Sequence, residues 1–177
     1  MKRTILSLAC LLILSLYAHA QSKQKSFFGI GTGLDYGGIG FRAEFQPVGA
    51  IGIFGGFGFN LVTPAFNAGI SIKAAPGKRF CPVFTGMYGY NAAIKIKRFG
   101  GGDIATSYYG VSVGAGFELY NKSMRNKLLV EILGPFRSSK FKRDYDSYKR
   151  NGISFDTKPK DVYFSIGYNF GIGAKAK

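Results

Sequence analysis

The chain has 177 residues, is 16% aromatic, and carries 24 Lys and Arg against 9 Asp and Glu, for a formal net charge of +15. That length suits one domain able to build a core or close a barrel, while 2 Cys, 1 His and no Trp leave little for disulfide, metal or His-based chemistry. Such an excess of positive charge implies an anionic partner or a strongly solvated surface.

The first element is a leader. Lys2 and Arg3 precede an apolar run from Ile5 to Ala18, and Ala18-His19-Ala20 supplies an A-x-A cleavage pattern. Residues 1–20 read as a secretory signal peptide cut before Gln21, too short to span a bilayer as a helix. Cleavage removes the single His and Cys10, leaves Cys81 alone, and lowers the net charge by two. The mature domain is then residues 21–177, with no internal disulfide.

From Phe27 onward the sequence alternates apolar with small or polar residues, the period of a β-strand. Eight strands are predicted: Phe27–Leu34, Ile39–Gln46, Ala50–Asn60, Ala65–Ala74, Phe80–Ile96, Ser107–Leu119, Lys127–Phe136 and Asp161–Phe170. Turn-forming residues separate them, among them Asp35-Tyr36-Gly37-Gly38, Pro47-Val48-Gly49, Ala75-Pro76-Gly77-Lys78 and Gly100-Gly101-Gly102-Asp103. No helical period is evident outside the leader. An even strand count lets an up-and-down meander close with every edge paired. The connections after the fifth and seventh strands are the longest. The turns after the second, fourth and sixth, at the opposite end, are short or moderate. The connections after the first and third are short as well, so the asymmetry is incomplete.

The faces of the strands decide what surrounds them. In the sixth, Tyr109, Val111, Val113, Ala115, Phe117 and Leu119 oppose Tyr108, Gly110, Ser112, Gly114, Gly116 and Glu118. Glycine weakens a solvent-facing strand, but suits the cramped interior of a small barrel. The apolar face therefore points outward to lipid. Arg42, Glu44, Lys73, Lys95, Glu118 and Glu131 all fall on the opposite, inward face. This interior polar cluster reads either as a plug of ion pairs or as a gated polar path, since a buried charge needs a partner in both cases. Tyr88, Tyr90, Tyr108, Tyr109, Tyr120, Tyr163 and Tyr168 lie toward strand ends, as interfacial girdles or as ordinary sheet packing.

The leader, Gln21, the eight alternating segments and the closing Val-Tyr-Phe-Ser-Ile-Gly-Tyr-Asn-Phe-Gly (Val162–Gly171) together resemble the small outer-membrane β-barrel domain proteins of Bacteroidetes-type bacteria. They are similar, more loosely, to OmpA/OmpX-like and PorT-like barrels. The resemblance implies an all-β, eight-stranded antiparallel transmembrane barrel in a Gram-negative outer membrane. It also implies a last strand read by barrel-assembly machinery. The chain continues past that strand as Gly171-Ile172-Gly173-Ala174-Lys175-Ala176-Lys177, where such chains often end on an aromatic residue.

Without a His after Ala20, Ser-His-Asp, Cys-His and Asp-His constellations are excluded, and no cofactor or metal site is expected. The Gly29, Gly31 and Gly33 run has no following helix and is not a nucleotide fingerprint. The last connection holds Arg137, Lys140, Lys142, Arg143, Lys149, Arg150, Lys158 and Lys160. In an exported chain this basic loop suits anionic lipopolysaccharide or glycan rather than nucleic acid, with a merely solvated loop as the plainer reading. The expectation is a monomeric, non-enzymatic envelope protein. A small pore or transport component is the first alternative, and a soluble periplasmic lipocalin-like binder the second.

Overall fold

The computed structural model describes residues 25–96, 104–151 and 160–172. The expected leader, the glycine loop and Lys158 lie outside the described residues, as does the side chain of Lys95. The strands are β1 (Lys25–Gly33), β2 (Gly38–Val48), β3 (Ile51–Phe59), β4 (Pro64–Lys73), β5 (Phe80–Ile96), β6 (Ile104–Tyr120), β7 (Asn126–Pro135) and β8 (Tyr163–Ile172). They form a closed barrel in chain order. Every neighbouring pair is antiparallel, and β1 meets β8 from Ser26↔Ile172 to Thr32↔Ile166. The expected closing partner of the last strand is the observed one.

The alternation produces an inside-out protein. Phe28, Ile39, Phe57, Phe66, Phe84, Val113, Ile132 and Phe164 are among the large apolar side chains that stand outward, between 37% and 74% exposed. Val162, Phe164, Ile166, Tyr168 and Phe170 belong to this set, while Ser165 and Asn169 point inward and are buried. Among the described residues, no Asp, Glu, Lys or Arg stands on the outward face of a strand. Water would oppose such a surface, and hydrocarbon would not.

Two departures from the predicted elements matter. The connection after β7 was expected to be irregular, but contains helix α1 (Ser139–Arg150). Ser138 caps it by accepting a hydrogen bond from the Phe141 amide, and Lys149 and Arg150 sit in its last turn, where cations complement the helix dipole. The tight turn after β1 is a single 3-10 turn, Leu34–Tyr36, closed by Gly37 at φ 69°. It does not face solvent: Leu34, Asp35 and Tyr36 are all buried, because the turn folds into the lumen.

β5 and β6 are 17 residues each and rise beyond their neighbours at the long-loop end. A bulge between Tyr90 and Ala92 marks where they leave the barrel wall.

Candidate functional site

The lumen is filled in layers. At the short-turn end, Phe27, Cys81 and Tyr120 form an aromatic floor, with the Phe27 and Tyr120 rings edge to face at 6.2 Å. Above it lies the charge cluster. Glu44 on β2 is its hub: Lys127 Nζ reaches both Glu44 oxygens at 2.9 Å, and Lys73 Nζ donates to Oε1 at 2.8 Å. Lys127 and Lys73 also clamp Glu118, at 2.6 and 3.0 Å. Gln46 Nε2 donates to Glu44 at 2.7 Å, and Tyr120 Oη donates to Glu118 at 2.7 Å.

One layer higher, the Arg42 guanidinium donates to Asp35 at 2.6 Å and to Glu131 at 3.3 Å, and approaches Glu44 at 3.5 Å. Its plane lies 3.6 Å from the Phe54 ring centroid, so the inward Phe54 supplies a cation–π face. Thr85 donates its hydroxyl to Glu131, and Ser165 donates to Asp35. Four carboxylates thus face three cations, and three hydroxyls and the Gln46 amide supply further donors. Every one of these seven charged side chains is at most 1% exposed.

Of the expected inward charges, the structure buries Arg42, Glu44, Lys73, Glu118 and Glu131 inside. Glu118, clamped by Lys127 and Lys73, and Glu131, held by Arg42, belong to different layers. The sequence-based list of inward charges is incomplete. It omitted Lys127, which stands at the start of β7 with its side chain inward. It also omitted Asp35, hidden in what looked like an ordinary surface turn. Inward parity along β7, shared with Glu131 four residues later, was the signal available for Lys127.

The inturned Leu34–Tyr36 turn closes the lumen above the charges. Asn67 donates to the Leu34 carbonyl, and Asn169 Nδ2 donates to Tyr36 Oη at 3.2 Å. Tyr36 lies across a row of glycines in register on four adjacent strands: Gly167 on β8, Gly31 on β1, Gly40 on β2 and Gly58 on β3. A Cβ at Gly31 would stand 2.7 Å from Tyr36 Cζ, too near for any side chain. The small-residue face is therefore a seat for the turn as well as a consequence of a narrow interior. Leu34 then packs with Phe54, Ala65, Met87, Tyr90 and Leu133 as an apolar layer.

Helix α1 lids the mouth. Phe141 is buried against Ala92, Ile94 and Tyr108 on the inward side of the projecting β5–β6 hairpin, with Tyr145 and Tyr148 beside it. The Phe141 and Tyr108 rings meet edge to face at 5.1 Å, and Tyr108 Oη donates to Asp144 at 2.9 Å. Arg137, expected among the free basic-loop cations, is instead a staple. It donates to the Asn91 and Lys160 carbonyls and, at 3.2 Å, to Tyr163 Oη. Lys140, Lys142, Arg143, Lys149, Arg150 and Lys160 are exposed. Of the tyrosines expected in girdles, Tyr88, Tyr109 and Tyr168 lie on the outward face, whereas Tyr90, Tyr108 and Tyr120 are buried inward.

Among the described residues, no group of His, Cys, Asp or Glu has metal-site geometry, and the lumenal carboxylates are already engaged by cations and hydroxyls. No family model matches the chain, and no curated protein does. A solved structure does: the N-terminal β-barrel domain of Pseudomonas aeruginosa OprF, with a TM-score of 0.57 at 9% identity, covering 84% of this chain and 97% of that one. At that identity the likeness is one of fold alone, a closed β-barrel.

Proposed function

We propose that this protein is a non-enzymatic barrel of the bacterial outer membrane, exported by its leader, which supports the envelope as a closed wall element and presents a basic surface outside. The observation that carries this reading is the sealed interior. An apolar floor, a charge network at most 1% exposed, an inturned turn and a helical lid follow one another along the lumen. Eight strands leave an interior that side chains can fill, and here they fill it. The inward charges and outward apolar band weigh against a lipocalin-like soluble binder, whose faces would be reversed. A monomer inserted by assembly machinery that reads β8 is part of this proposal and rests on the sequence pattern of the last strand. The kinship with Bacteroidetes-type small barrels rests on the sequence pattern alone.

A pore is the competing reading, favoured by the charged lining. Planar-bilayer recording of the purified full chain separates the two. A closed element gives no unitary current, and regular steps would establish the pore instead. Recovery of the protein in the soluble periplasmic fraction would overturn both.

A further inference from the structure

We propose that the exposed face of helix α1 is a binding surface for phosphorylated lipid headgroups of the leaflet surrounding the barrel mouth. This rests on the membrane placement above and names the partner of its basic surface.

At 100° per residue, Phe141, Tyr145 and Tyr148 share one side of α1, the side that meets the β5–β6 hairpin. Arg143 and Arg150 fall opposite, on one line about 10 Å apart at 1.5 Å per residue. Lys140 lies to one side of that line and Lys142 and Lys149 to the other. Asp146 stands between those two and the arginines, and all five cations are exposed. Among the described residues none of the five is in an ion pair. Asp146 is the one exposed acid on the helix, because Asp144 is half-buried and accepts from Tyr108. The cations are therefore held outward by the packing of the other face, and among the described residues are not spent on internal ion pairs.

Height selects the source of the anion. Tyr109 meets Phe66 on the outward face, their rings tilted with centroids 5.0 Å apart, the kind of ring pair that sits at a headgroup boundary. Tyr108 is the next residue, and Ala92 and Ile94 lie two and four residues beyond Tyr90, so α1 sits within about 14 Å of that level along the strands. Phosphates of the surrounding lipids occupy this zone, and a guanidinium fork accepts a phosphate through two hydrogen bonds. The aromatic residues of α1 are all turned toward the hairpin. Stacking of a nucleic-acid base on this face has no platform.

The test uses the full chain in neutral detergent micelles doped with diphosphoryl lipid A, with bound lipid counted by native mass spectrometry. Wild type should hold the lipid in a salt-sensitive manner and ignore a dephosphorylated analogue. The exposed quadruple variant Lys142→Gln/Arg143→Gln/Lys149→Gln/Arg150→Gln should bind at least about tenfold more weakly, with unchanged heat-modifiable migration. Equal binding by the variant would overturn the proposal. So would competition by inorganic phosphate or dextran sulfate as effective as lipid A, which would mark a surface for free anions. A silent barrel that ignores lipid A would sink this inference alone, whereas a conducting barrel that binds it would sink only the closed-wall reading.

Discussion

Arg42 ties the upper layer of this interior together. It contacts Asp35, Glu44 and Glu131 and lies against Phe54, joining a turn, two strands and an aromatic ring. Removing one member of a buried charge network strands its partners at a cost of about 3–5 kcal/mol. Arg42→Leu should therefore lower the unfolding free energy by that order, read from urea titration of the heat-modifiable gel shift. Arg42→Lys should recover only part of it, because an ammonium lacks the planar fork that spans two carboxylates. A loss below about 1 kcal/mol for Arg42→Leu would mean that the cluster is not energetically coupled. The seat beneath Tyr36 makes a second demand. Gly31→Val introduces atoms against both Tyr36 Cζ and the Ile166 carbonyl of β8, so the turn is displaced and the β1–β8 seam is strained with it. A Leu34→Cys probe, buried in the native barrel, should resist maleimide in a Cys81→Ala background and react readily once Gly31→Val is added.

At the scale of elements, α1 and the inturned turn are two independent stoppers. Phe141→Ala should free α1 and expose residues 139–150 to protease, while the barrel's unfolding midpoint stays near that of wild type. A matching fall in the midpoint would show instead that the lid is part of the barrel's cooperative unit. Strands were legible from the sequence because one-face burial imposes period two, and even the β1–β8 closure followed from that alternation. The helix was harder to read. Its apolar side is three residues, Phe141, Tyr145 and Tyr148, set among five basic ones, and Ser138 alone marks its start. The inturned turn was not legible at all. Asp35-Tyr36-Gly37-Gly38 has the composition of any exposed hairpin turn, and its destination is set by glycines on four separate strands.

For the whole molecule, the outward band predicts the solvent. Val113 stands near the middle of β6 on the outward face and is 46% exposed. Val113→Lys should cost about 2–4 kcal/mol in a bilayer. Ser112, one residue away, is buried inside. If the lysine at 113 were tolerated without loss, the surrounding medium would be water. The polar set of the lumen was mostly readable, since inward parity assigned five of its seven charged members. What parity could not supply was their grouping, because the pairing of Glu131 with Arg42 and of Glu44 with Lys127 depends on how strands far apart in sequence meet across the barrel.

The turn that follows the first strand finds its partners on the last. Asp35 accepts from Ser165, and Tyr36 accepts from Asn169, so neither contact can exist until β8 has docked beside β1. The seam where a barrel of this kind must unzip is thereby bolted from within. Because the bolt slides home after closure, Ser165→Ala and Asn169→Ala should speed unfolding while leaving the folding rate nearly unchanged. The molecule's endurance is then a property of its exit barrier, written in a four-residue corner between its first two strands.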